Sequence, residues 1–67
     1  MKYKIHTESI QLIQLLKAVN ISNSGGQAKL MVEDGEVTLN GKMEYRKRAK
    51  LVPGDKVEIF EQTIEIE

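Results

Sequence analysis

Cysteine and tryptophan are absent from this chain of 67 residues, which holds one proline, one histidine and three aromatic side chains. Without cysteine there is no disulfide framework, and His6 alone cannot make a zinc site, which asks for several Cys or His ligands. The same absence fits a reducing compartment, and a cytoplasmic location is the expectation. No stretch approaches the roughly 18 apolar residues that cross a bilayer. "MKYKIHTES" carries charge with no apolar run behind it, so no signal peptide and no membrane partner are expected. Metal-ligand spacing, a nucleophile–base arrangement and a cofactor fingerprint are all missing, so neither an enzyme nor a cofactor is expected. The aromatics Tyr3, Tyr45 and Phe60 are too few for the stacking platform of a single-strand binder.

A chain of this length makes one small domain, residues 1–67, hiding only about 60% of the surface its unfolded form exposes. Its formal net charge is zero, but the charge is unevenly placed. Residues 1–54 hold nine Lys/Arg against five Asp/Glu, and residues 55–67 hold one against five. The body is basic and the acid lies in the last residues, which either shield the basic face or complete a sheet.

Along the chain, Tyr3 and Ile5 alternate with Lys2, Lys4 and His6, the period of a half-buried strand. Leu12, Leu15, Leu16 and Val19 then form an apolar stripe at helical spacing within "IQLIQLLKAV", with Lys17 on the opposite side. "SGGQAKLMVEDG" predicts a second short helix. Ser24 and Gln27 match a capping box, Ala28, Met31 and Val32 supply a buried face, and Gly35 suits a left-handed end. Beyond Gly35 the period becomes two. Asn40-Gly41 predicts a tight hairpin flanked by Val37, Leu39, Met43 and Tyr45, and Pro53-Gly54 fits a type II turn. Val57 and Ile59, then Ile64 and Ile66, read as the inward residues of two more strands.

Two stretches carry candidate chemistry. "EYRKRAK" packs four of the ten positive charges into seven residues, and clustered cations replace the counterions around a nucleic-acid backbone. If the segment is extended, Arg46, Arg48 and Lys50 share one face; otherwise the charge merely protects a sheet edge. "SGGQAK" places glycines at a helix start, where free amides and a partial positive charge suit a phosphate. It lacks the spacing of a P-loop.

The ordered motifs Ser24-Gly25-Gly26-x-Ala28-Lys29, Gly35-x-Val37-x-x-Asn40-Gly41, Glu44-x-Arg46-x-Arg48-x-Lys50-Leu51 and Gly54-Asp55 resemble the alpha-L RNA-binding motif, the domain named after ribosomal protein S-four. The closer likeness is to its small free-standing YbcJ/YaaA-type branch, over about residues 8 to 60. The resemblance implies an α+β fold, two short helices packed on a small, bent, mostly antiparallel sheet. It also implies binding of structured RNA, ribosomal RNA or tRNA, with the ribosome as a further partner. Mapped onto this chain, the RNA-binding surface is Ser24, Gly25, Gly26, Lys29, Arg46, Arg48 and Lys50; charge and position add Lys17 and Lys47. On this reading, alanine at Arg46 and Arg48 together flattens the salt dependence of binding by about two contacts. Gly25 stands where many ribosomal versions carry Arg. Gln11 stands where the branch often has a capping Thr, so the first helix is expected to fray. "LNG" followed by "LVPGDKVEI" is also similar to small β-grasp sulfur carriers, an alternative in which the domain binds protein. Carriers end in Gly-Gly, whereas these residues end "TIEIE". With no apolar surface stripe evident, a monomer is expected.

Overall fold

The spacing of Leu12, Leu15 and Leu16 becomes a helix, α1 (Leu12–Ala18), in the computed structural model, which describes residues 1–67. All three leucines are fully buried. The helix is shorter than the apolar pattern because Ile10 and Gln11 leave it to form a strand. That strand, β2 (Ile10–Gln11), runs antiparallel to β5 (Lys50–Leu51), with Ile10 opposite Leu51 and Gln11 opposite Lys50. Nor does Gln11 leave the helix start to fray. Its N–H donates to Gln14 Oε1 (3.2 Å), and the amides of Leu12 and Ile13 donate to the carbonyls of Ala49 (2.9 Å) and Lys47 (3.1 Å). The free amides of a first turn are met here by backbone from another part of the chain instead of by a Thr hydroxyl.

The second helix, α2 (Gly25–Glu33), buries Ala28 and Val32 against α1. Both helices end in a Schellman motif. After α1, Asn20 takes φ 62° and the Ile21 amide reaches back to Leu16 O at 3.0 Å. After α2, Gly35 takes φ 78° and the Glu36 amide reaches Met31 O at 3.2 Å. Such caps satisfy carbonyls that a helix end leaves open.

Beneath the helices lies a five-stranded sheet in the order β1-β7-β6-β3-β4. Its strands are β1 (Lys2–Tyr3), β3 (Val37–Leu39), β4 (Lys42–Met43), β6 (Lys56–Ile59) and β7 (Gln62–Ile66). Only β1 and β7 are parallel. Val37, Val57, Ile59, Ile64 and Ile66 face the helices and are buried, and Ala49 and Leu51 join them. The α+β expectation holds. No helix is long and apolar enough to cross a membrane.

The last residues complete the sheet. β7 sits between β1 and β6, and its acids pair sideways: Glu65 with Lys56 at 3.7 Å, and the neighbouring Glu67 with Lys2 at 3.9 Å.

Three turns set the sheet's edges. Asn40 (φ 52°) and Gly41 (φ 85°) make the predicted left-handed hairpin, and Gly54 (φ 102°) follows Pro53 in a turn closed by the Asp55 amide on Val52 O at 3.1 Å. The third was not signalled by sequence. Phe60 (φ 50°) and Glu61 (φ 66°) join β6 to β7 in left-handed backbone, where a side chain costs about 1 kcal/mol or more per residue.

The first two turns are tied together. Asn40 Nδ2 donates to Asp55 Oδ1 (3.0 Å), the Lys56 amide donates to Asn40 Oδ1 (2.8 Å), and the Val52 amide donates to Asp55 Oδ2 (2.9 Å). Asp55→Ala removes two of these acceptors at once. Its expected cost is about 2 kcal/mol, read as a lower urea midpoint with an unchanged slope.

Candidate nucleic-acid interface

Lys47 and Arg48 stand at the corner of a β-turn, closed by the Ala49 amide on Arg46 O at 3.1 Å. The segment is therefore not an extended strand, and Arg46, Arg48 and Lys50 do not share a strand face. Packing explains the difference. Ala49 (5% exposed) and Leu51 (fully buried) are drawn into the core, while the Lys47 and Ala49 carbonyls accept the first amides of α1. The basic turn is thus fastened to the helix start from within. Arg46, Arg48 and Lys50 stay exposed and Lys47 is half-buried.

Arg46 differs from its neighbours. Its Nε donates to Glu44 Oε2 and its Nη2 to Glu44 Oε1, both at 3.1 Å, and its backbone amide also donates to Glu44 Oε2 at 3.1 Å. The Glu44 side chain is only 12% exposed, whereas that of Arg46 is 80% exposed. Sequence reasoning treated Glu44 only as part of a motif. The available signal was its i, i+2 spacing to Arg46, which puts two side chains on one side of an extended run. Hydrogen bonds from the Arg46 side chain hold the Glu44 carboxyl below its ordinary value of 4.5, and the guanidinium is correspondingly raised.

A carboxyl lowered in this way adds stability above its unfolded value, and that stability is lost as pH falls through the lower folded value. The stability difference between the wild type and Glu44→Gln should therefore be present at neutral pH and shrink in acid, below about pH 4.5. Urea melts of both proteins across that range measure it.

The other predicted residues lie in the last turn of α1 or beyond it in the chain. Lys17 is exposed in its last turn. The Ser24 hydroxyl accepts the Gln27 amide at 3.1 Å, and Gln27 Oε1 accepts the Asn23 amide, one residue earlier than in a standard capping box. A Cβ on Gly25 would meet nothing within 4 Å, and one on Gly26 would meet only Ser24 Oγ at 3.9 Å. The surface there is open, and the first amides of α2 lie where a helix start favours anions. Lys29 is exposed one turn on. A seven-residue helix rises about 10 Å, so the predicted surface is two groups on one helical layer. Arg46, Lys47, Arg48 and Lys50 sit by the first turn of α1; Lys17, Ser24, Gly25, Gly26 and Lys29 sit toward its last.

Known proteins resemble this chain in sequence and in fold. Residues 3–67 match the family described as the S4 domain. The candidate RNA-binding protein YbcJ of Escherichia coli (strain K12) is 37% identical over 57 residues, covering 85% of this chain and 81% of that protein. A "Probable ribosome maturation protein RlbA" of Bacillus subtilis (strain 168) is 44% identical over 55 residues, covering 82% and 78%. The solution structure of Escherichia coli YbcJ, reported to reveal an alfaL motif involved in RNA binding, superposes with a TM-score of 0.74 at 32% identity, over 97% of this chain and 84% of that one. The ribosomal protein S4e of Thermoplasma acidophilum shares the fold at a TM-score of 0.70 and 21% identity, over 85% of this chain and 30% of that one. The two helices and the mixed sheet below them are those of a known fold, and this chain belongs to the S4 domain family, among its small YbcJ-like proteins.

Proposed function

We propose that this protein binds structured RNA, ribosomal RNA first and tRNA second, through the helical layer and the basic turn, and performs no chemistry of its own. The observation that carries this reading is the docking of the Lys47 and Ala49 carbonyls on the first amides of α1. Those bonds tie the backbone beside Arg48 and Lys50 to the helix that carries Lys17, which supports reading these separated cations as one preorganised surface. A rigid surface loses little entropy on binding a folded RNA. The name of the Bacillus subtilis relative refers to ribosome maturation, which supports ribosomal RNA as the first ligand to try and an assembly role for this chain.

Phosphate contacts release counterions, so affinity should fall steeply with salt. Four contacts correspond to a loss of roughly a hundredfold between 50 and 200 mM salt. Titration of purified ribosomal RNA and tRNA at both concentrations tests the reading. Absence of binding at the lower one would refute it.

A further inference from the structure

Opposite the helices, the sheet has a face that no other element covers. The paired register places Thr38 beside both Met43 and Glu58, and Glu58 beside Thr63, all on that face. Exposed apolar side chains collect at one corner of it. Met43 is 47% exposed and Tyr45 is 58% exposed. Both lean over Gly35, where an added Cβ would lie 3.2 Å from Met43 Cε and 3.4 Å from Tyr45 Cε1. One step beyond the Val37–Ile59 pair stand Glu36 and Phe60, and Phe60 is 51% exposed.

The turn that carries Phe60 and the Asn40-Gly41 turn are both two-residue hairpins in left-handed backbone. Asn40-Gly41 makes a left-handed two-residue hairpin with the residues best suited to it, while Phe60-Glu61 makes one with residues poorly suited. Phe60 stays half exposed and lies outside the core, so core packing does not offset the cost. Strained backbone of this kind clusters at functional sites, which makes the exposed aromatic group a candidate contact.

Charge narrows the choice of partner. The ion pairs of the fold engage Glu44, Glu65 and Glu67, so Glu36, Glu58 and Glu61 remain unpaired around the apolar corner. Of the cations of this face, Lys2 and Lys56 are paired with Glu67 and Glu65, while Lys4 and the Met1 ammonium, held on Thr63 O at 2.8 Å, lie along the β1 edge, across the sheet from Met43. The corner is therefore apolar with a negative rim, which repels a polyanion and attracts cations.

We propose that this face docks a basic segment of a protein partner, with Lys or Arg side chains against Glu36, Glu58 and Glu61 and an apolar side chain against Phe60 and Met43. The contact lies on the opposite side of the sheet from the helical layer and does not depend on RNA binding.

Two short synthetic peptides of equal length and apolar content, one basic and one acidic, provide the probes, followed by amide shifts in the labelled full chain. The basic peptide should move Thr38, Met43, Glu58 and Phe60, and the acidic one should not. The double variant Phe60→Asn/Glu61→Gly removes both the aromatic group and the strain. Its melting temperature should rise by about 4 °C or more, while affinity for the basic peptide falls about tenfold. The proposal is overturned if neither peptide moves these amides, if an RNA hairpin moves them instead, or if the more stable variant binds the basic peptide unchanged. Shifts that depend on protein concentration without peptide would also overturn it, by making a second copy of the chain the occupant.

Discussion

Alanine at Arg48 and Lys50 together should weaken binding to ribosomal RNA roughly sixtyfold at 0.1 M salt and flatten the log–log salt slope by about 1.8. Both side chains are exposed and neither has a carboxylate partner. Each released phosphate contact contributes about 0.9 to that slope. Arg46→Ala should flatten the slope much less, because its guanidinium is committed to Glu44 and the pair carries no net charge to exchange for counterions. The pair of arginines chosen from sequence, Arg46 with Arg48, should therefore lower the slope by nearer one contact than two. Filter binding across a salt series separates these cases. A larger slope change for Arg46→Ala than for Arg48→Ala would show that RNA displaces Glu44.

Deleting Gln62–Glu67 should abolish cooperative folding. Ile64 is fully buried and Ile66 is 2% exposed, and burying such side chains contributes about 1.5–3 kcal/mol each. A domain of this size has only about 3–10 kcal/mol of net stability. The deletion also strips partners from both β1 and β6, since β7 lies between them. Circular dichroism of the shortened chain should show no sigmoidal melt, and a cooperative transition would contradict the strand's central role. Ile64→Ala is the milder test, with an expected loss of about 2–5 kcal/mol.

Much of this fold was legible because the sequence repeats its message at several levels. The leucine stripe, the Ser24–Gln27 cap, Gly35 and Asn40-Gly41 each specify local geometry that the packed structure also needs. What sequence could not show was tertiary in origin. Ile10 adjoins the leucine stripe in the same apolar run, yet it pairs with Leu51 across the chain and becomes strand. The basic run alternates in a way compatible with a strand, but burial of Ala49 and Leu51 folds it into a turn. The Phe60–Glu61 hairpin contains no turn residue, so no local signal marked it.

The missed apolar corner has a different cause. A two-residue hairpin opposes Leu39 to Lys42 and Thr38 to Met43, so the inward residues are Val37 and Leu39 on one strand while Met43 and Tyr45 point outward on the other. Leu39 stands one residue before the turn and Met43 two after it, so the two fall on opposite faces of the sheet. Met43 and Tyr45 are therefore left on the surface, although the sequence shows no apolar stripe there. The partner classes for the helical layer could be drawn from motif order, whereas the geometry of each cation could not.

The placement of β7 between β1 and β6 bears on how the chain is made. A ribosome releases the helices and the basic turn first and the segment that joins the sheet's first strand to its middle last. Until residues near 66 have left the exit tunnel, β1 has no partner in the sheet and the leucines of α1 rest on an incomplete floor. Domains in which distant segments must meet fold slowly, and this one can close only after its helical layer and basic turn are already in solution. Order of synthesis and order of assembly are therefore opposed, and the nascent chain spends its most exposed interval beside the kind of RNA it is proposed to bind.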